Sequence, residues 1–219
     1  MHYDLVLRDI DGTIVDSNDA HARAWEKAFA QHGRAIPFER IRPLIGMGGD
    51  KLLERLAGLD SGSAAGKRIS AARASIFAGA FLPTLGPTPG ARPMIEWLKS
   101  EGATITIATS AAGKEVAGLL EAAGVADLID HVTSSDDADE SKPDPDIIVA
   151  ALKRSGGPKR AAVMFGDTPY DIEAAGRAGV ETIAFRSGGW VDADLRGAVA
   201  IFDHPQALLA HVNEPPLNG

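Results

Sequence analysis

The chain has 219 residues, 45% apolar and 24% charged, which suits a soluble globular protein with one generous domain or a core carrying an insert. Its 22 basic and 30 acidic residues leave a net charge of −8, a balance that argues against a nucleic-acid partner. Zero cysteines exclude disulfides, a thiol nucleophile and thiolate zinc sites, and no apolar run approaches the ~18 residues needed to span a bilayer. The first residues lack the basic-then-apolar layout of a secretory signal, so a cytoplasmic protein without membrane contact is expected.

In chain order, the apolar run Leu5-Val6-Leu7 predicts a central strand over residues 3–9. Residues 17–85 then show only helical spacing, with helices expected over 19–31, 38–44, 50–57 and 63–81. Residues 83–90, Pro-Thr-Leu-Gly-Pro-Thr-Pro-Gly, form the clearest linker. From there helices over 91–100, 113–123, 144–154 and 170–178 alternate with strands over 103–108, 131–133, 161–165 and 181–185, and with a weaker strand over 199–202. Gly102, Gly124, Gly156 and Gly179 fall just past the helices, where C-terminal caps belong. The alternation predicts an α/β fold, a doubly wound parallel sheet with helices on both faces. Residues 1–16 and 87–219 would build this core, and residues 17–86 an inserted helical module. Residues 215–219 are expected to be a loose tail.

Chemistry concentrates where strands end. Asp9 and Asp11 lie one residue apart after the first strand, so they can hold a divalent cation and still leave a carboxylate oxygen free to attack an electrophile. Asp167 and Asp171 follow the strand over 161–165, and their i, i+4 spacing puts them on one side of a first helical turn. If the two strands are neighbours, these acids converge and need a cation; hard oxygen ligands suit Mg²⁺. Thr109 and Ser110 end the strand over 103–108 and, with backbone N–H groups at a helix entrance, make an anion site. Lys142 sits in a loop stiffened by Pro143 and Pro145 and supplies positive charge for a phosphoryl group.

Together and in this order, the segments Asp9-Ile10-Asp11-Gly12-Thr13, Thr109, Lys142 and Gly166-Asp167-Thr168-Pro169-Tyr170-Asp171 resemble the four motifs of the haloacid dehalogenase superfamily, mostly phosphatases. The helical insert is similar to the cap of that superfamily's first cap class. The resemblance implies Asp9 as nucleophile forming an aspartyl-phosphate and Asp11 as general acid, then base. It implies Mg²⁺ held by Asp9, the Asp11 backbone carbonyl and Asp167 with Asp171 in support, and Thr109 and Lys142 gripping the phosphoryl oxygens. An acid at position 11 points to phosphate rather than to dehalogenation, because a leaving halide needs no proton. The expected activity is hydrolysis of a small-molecule phosphate ester by a monomer or homodimer. The alternatives are a sugar-phosphate mutase using the same nucleophile, and a binding protein that kept the fold without turnover.

Several positions depart from the pattern. Arg8 stands where the family favours an apolar residue, and in a doubly covered strand it is expected to need a carboxylate, with Asp136, Asp137 and Asp171 as candidates. His21 falls at the mutases' cap histidine, a candidate substrate contact or a plain hinge histidine. The loop Gly46-Met47-Gly48-Gly49-Asp50-Lys51 is expected to face the site. Gly49 stands where mutases carry an arginine for a second phosphate, which Lys51, Lys67, Arg68 or Arg73 could replace if they are not surface charges. For the acids themselves the plain readings are a turn at Asp9 and Asp11, helix capping at Asp167 and an acid favoured in a helix's first turn at Asp171.

Overall fold

In a computed structural model, residues 2–158 and 161–218 are described. Six strands, β1 (Leu5–Arg8), β2 (Thr104–Ala108), β3 (His131–Thr133), β4 (Ala162–Gly166), β5 (Glu181–Phe185) and β6 (Ala200–Phe202), form one sheet in the order β3-β2-β1-β4-β5-β6. Every pairing is parallel, with Arg8 opposite both Ile107 and Phe165. The order reverses direction between β1 and β4, and the crevice at such a reversal is where open α/β sheets bind ligands.

Alternation along the strands builds two cores. Val6, Ile105, Ile107, Val163 and Phe165 meet helix α5 (Ala91–Ser100) and α6 (Gly113–Ala122) on one face. Leu5, Leu7 and Met164 meet α7 (Asp146–Arg154) and α8 (Pro169–Arg177) on the other. The doubly covered sheet expected from the alternating pattern is the one observed, with strand ends within a residue or two of expectation. A short α9 (Pro205–Leu209) adds Leu208 to the first core.

Between β1 and α5 no strand intervenes among the described residues. Helices α1 (Asn18–Gln31), α2 (Phe38–Ile41), α3 (Gly49–Ala57) and α4 (Ala64–Ile76) share their own apolar cluster around Trp25, Phe29, Ile41, Leu52 and Ile69. The expected helix over 63–81 continues past Ile76 as a single wider turn over Phe77–Phe81. The chain enters and leaves this block side by side: the Asp16 N–H donates to Gly86 O at 3.1 Å and the Thr88 N–H to Ile14 O at 2.9 Å. That pairing seats the block over the C-terminal end of β1. No helix among the described residues is long and apolar enough to cross a membrane.

Two expectations need correction. The last residues are not a loose tail: Leu217 is buried in the first core and its carbonyl accepts from the His2 N–H at 2.8 Å, although Gly219 lies outside the described residues. Arg8 is fully buried, yet none of its guanidinium nitrogens finds a hydrogen-bond acceptor among the described residues. The three candidate carboxylates are engaged elsewhere, Asp136 by the Gly113 N–H, Asp137 by Ser134 and Arg154, and Asp171 by Lys142. The physical reason is pleat parity, which turns Arg8 with Val6 toward the apolar face. There the guanidinium lies over the Phe165 ring, 5.3 Å from its centre. Burial pushes its pKa down to about 9, so at neutral pH the side chain carries its charge against a desolvation cost that the ring offsets only in part. Arg8→Leu should therefore stabilise the protein by about 1–4 kcal/mol, the range found when buried ionic groups give way to apolar ones. Urea unfolding at pH 7 measures it; a loss of stability would reveal a partner for the guanidinium.

Candidate active site

The site is assembled by strand ends. Asp9 follows β1, and its N–H donates to Phe165 O at 3.0 Å, which ties it to β4. Asp167 follows β4 directly. Asp9, Asp167 and Asp171, all buried, offer carboxylate oxygens within 4.8 Å of one another. Thr168, rather than Asp167, caps α8: its hydroxyl accepts from the Asp171 N–H while Asp171 Oδ2 accepts from the Thr168 N–H at 3.1 Å. Asp171 thus serves the helix with one oxygen and the site with the other.

That other oxygen receives Lys142. The lysine Nζ donates to Asp171 Oδ1 at 2.7 Å, Ala108 O at 2.8 Å and Asp9 Oδ1 at 3.0 Å, so all three of its hydrogens are used. Burial alone would lower its pKa, but Asp171 and Asp9 outweigh burial and hold it above its ordinary value. Asp167 is gripped from the other side by Thr13 Oγ1 at 2.9 Å and Asn18 Nδ2 at 2.8 Å. Close approach here demands Gly12: at φ +71°, a Cβ on it would stand 2.1 Å from Asp167 Oδ2.

Three buried carboxylates facing one lysine leave two negative charges unmatched. Burial therefore pushes Asp9 up to about 7, with Lys142 opposing and Asp171 and Asp11 adding to the rise. Burial also drives Asp167 well above its ordinary value, helped by Asp171 and Asp9. A divalent cation matches both the charge deficit and the all-oxygen donor set. Asn18 Oδ1 beside it is a buried acceptor left without a donor, as a hydrated cation would supply.

Asp11 faces the helical block instead. Its Oδ1 accepts from Ser17 Oγ and from His21 Nε2, the latter at 2.7 Å. Arg73 donates to His21 Nδ1 at 3.0 Å and makes two bonds, of 2.6 and 2.7 Å, to the buried Glu115 of α6. An arginine can only donate, so Nδ1 accepts and the ring hydrogen sits on Nε2, pointing at Asp11. His21 is further fixed by stacking on Phe77, 4.0 Å between ring centres. Burial works to raise the Asp11 carboxyl, but His21, then Ser17, with Arg73 beyond, outweigh it and hold the carboxyl below its ordinary value. Oδ2 receives no hydrogen bond from the described residues and is left to the pocket.

A pocket of about 50 Å³ is enclosed by Asp9, Asp11, Thr109 and Ser110 from the sheet side and by His21, Gly46, Met47 and Arg73 from the helical block. Thr109 is buried, its hydroxyl accepting from the Ala111 N–H at 3.1 Å, while Ser110 Oγ is buried without a partner. The eight side chains singled out in the sequence all lie around this pocket or the acid cluster behind it. Sequence reasoning passed over Thr13, Asn18, Ser17 and Glu115. Their signal was faint, because polar residues next to a motif ordinarily serve turns and caps. Arg73 was weighed as a phosphate ligand, but Glu115 and His21 occupy it. Lys51, weighed likewise, is spent on Asp144 and on Ser141 O at 2.7 Å.

With this geometry in place, a family model described as haloacid dehalogenase-like hydrolase matches residues 6–185. The chain belongs to that family. A phosphoglycolate phosphatase of Pseudomonas savastanoi pv. phaseolicola is 31% identical over 189 residues, covering 84% of this chain and 70% of that one. A solved hydrolase from Pseudomonas syringae superposes with a TM-score of 0.88 at 29% identity, over 95% of this chain and 97% of the other. CbbY of Rhodobacter sphaeroides, solved with phosphate, gives a TM-score of 0.81 at 25% identity, over 94% and 96% of the two chains. Within this hydrolase family the acid cluster described above lies in the matched segment.

The charge deficit has a direct consequence for stability. A divalent cation should raise the unfolding temperature of the native protein, by about 2.7 kcal/mol of stabilisation at about 100 Kd. Asp167→Asn should abolish that shift. Thermal scans with and without Mg²⁺ measure both; an equal shift in the variant would place the cation elsewhere.

Proposed function

We propose that this chain is a Mg²⁺-dependent phosphatase that hydrolyses a small phosphorylated metabolite through an aspartyl-phosphate on Asp9. The observation that carries this reading is the meeting of Asp9, Asp167 and Asp171 around one lysine, open to a pocket into which Asp11 presents a free carboxylate oxygen. The phosphatase name of the Pseudomonas relative and the phosphate held by the Rhodobacter neighbour agree with it.

In this reading the phosphoryl group enters the small pocket and its oxygens meet Thr109, Ser110 and Lys142. Asp9 keeps one oxygen on Lys142 and attacks phosphorus with the other. Asp11 is ionised in the free site; the anionic phosphoryl group entering beside it favours uptake of a proton on Oδ2, and that proton passes to the ester oxygen as its bond to phosphorus breaks. The proton belongs on Oδ2 because Oδ1 already accepts from both Ser17 and His21. A water then attacks the aspartyl-phosphate, Asp11 takes its proton, and inorganic phosphate leaves with Asp9 restored. Held by Asp9, Asp167 and the Asp11 carbonyl with Asp171 behind, Mg²⁺ would supply charge neutralisation to the transferring group.

Residues 17–86 act as a cap in this scheme. Lys51 on the Ser141–Asp144 loop, Arg73 on Glu115, Tyr170 Oη on Pro43 O at 2.7 Å and Arg42 on Gly188 O at 2.7 Å hold it against the core. Closure excludes bulk water and brings His21 to Asp11. The mutase reading gains no separate support, since Gly49 offers no side chain, Lys51 and Arg73 are already paired, and Lys67 and Arg68 are exposed and do not line the small pocket.

A phosphate-release screen over phosphorylated metabolites with Mg²⁺ tests the reading. Asp9→Asn should abolish release at every substrate concentration. Asp11→Asn should cost about 10²–10⁴-fold in kcat, the usual worth of a positioned acid–base group. Turnover surviving in Asp9→Asn would overturn the assignment of the nucleophile.

A further inference from the structure

Lys142 lies on neither a strand nor a helix. It occupies the second position of a turn between β3 and α7, which the Asp144 N–H closes on Ser141 O at 3.0 Å. From the core, Arg177 of α8 reaches this turn and donates to Asp144 Oδ1 at 2.9 Å. Its other side is gripped by the helical block. Lys51 Nζ donates at 2.7 Å to Ser141 O, the carbonyl that closes the turn, and pairs with the Asp144 carboxylate. Asp50 accepts from Ser141 Oγ. Gly48 comes so near that a Cβ on it would stand 2.1 Å from Ser141 Cβ. The residue before Lys142 and the residue two after it are therefore both held by the start of α3.

Local structure does not call for a lysine at position 51. It is the third residue of α3, in the first turn, where the helix dipole disfavours a cation. Its side chain is nevertheless only 20% exposed, because it reaches across to the core instead of into water. The other ties between block and core land on different segments: Arg42 on Gly188, Arg73 on Glu115, and Pro43 O on Tyr170. What sets the Asp50 and Lys51 ties apart is their target, the turn that presents the buried ammonium to Asp9 and Asp171.

We propose that Asp50 and Lys51 are positioning residues that seat the Lys142 turn, so that the ammonium is fixed against Asp9 only while the helical block is in place. This rests on the phosphatase reading of the same site. Neither residue touches the reacting atoms. Their bonds run to the backbone and side chains that flank Lys142, and the lysine carries the effect to the nucleophile. Loss of these bonds leaves the turn held by the core alone, and the charge that should face the phosphoryl group is then poorly placed. A misplacement of about 1 Å can cost about 10²-fold in rate. Seating the block thus both excludes water and completes the positive charge beside Asp9.

Two measurements test this. The first is hydrolysis of p-nitrophenyl phosphate with Mg²⁺. Lys51→Met and Asp50→Ala should lower kcat by up to about 10²-fold with KM little changed, because a misplaced charge is felt most in the transition state. Lys51→Arg, which keeps a cation, and Asp50→Asn, which keeps the oxygen that accepts from Ser141, should recover most of the loss. The second is labelling by acetic anhydride of the native protein, read by peptide mass spectrometry against the exposed Lys153 of α7. Lys142 is fully buried and should label slowly in the wild type and several-fold faster in Lys51→Met. Arg42→Met, which removes a tie to another segment, should leave Lys142 at the wild-type rate. Unchanged kcat in both Lys51→Met and Asp50→Ala, unchanged labelling of Lys142 in Lys51→Met, or equal acceleration in Arg42→Met would overturn the proposal. Faster labelling in Lys51→Met from a protein that releases phosphate from no ester would sink the phosphatase reading and spare the seating of Lys142.

Discussion

One ammonium group organises the centre of this molecule. Lys142 Nζ binds the end of β1 through Asp9, the end of β2 through the Ala108 carbonyl and the first turn of α8 through Asp171. Each partner is buried, so each bond forms where water cannot compete and where its absence would strand a charge or a carbonyl. The lysine is nevertheless one cation among three carboxylates. The site is folded around a deficit of positive charge, and a buried acidic cluster with that deficit suits a cation.

The two halves of the pocket have different tasks. The sheet side supplies groups held by strand geometry: Asp9, Thr109 and the acids at the head of α8. The helical side supplies His21 and Arg73, which line the pocket and are tied to the core through Asp11 and Glu115. Orientation of Asp11 therefore depends on the helical block being seated. The core holds Asp9 by strand geometry alone, whereas the hydrogen bonds that fix Asp11 come from Ser17 and His21 at the entrance of the helical block.

Arg8 shows the cost of placing an unusual residue in this framework. The strand is covered on both faces, so its side chain has no route to solvent and no hydrogen-bond acceptor among the described residues. The aromatic face of Phe165 offsets part of the desolvation.

The one-dimensional pattern was enough for the architecture. Apolar runs of strand length alternating with helical spacing, glycines after the helices and a proline-rich stretch near residues 83–90 are local signals, and the parallel sheet and helical block follow from them. Asp9, Asp11, Thr109, Lys142, Asp167 and Asp171 were legible as candidates because each sits at a strand end or in a stiffened loop and because together, in order, they resemble one family's motifs. What only the tertiary structure decided concerns pairings between distant positions. Asp171 is shared between a helix cap and Lys142, His21 turns to Asp11, Arg73 and Lys51 are consumed by Glu115 and Asp144, and Arg8 has no acid partner among the described residues. A charge's partner depends on which face its side chain leaves and on what lies across the cleft. That is a three-dimensional fact, and residue order alone leaves it open.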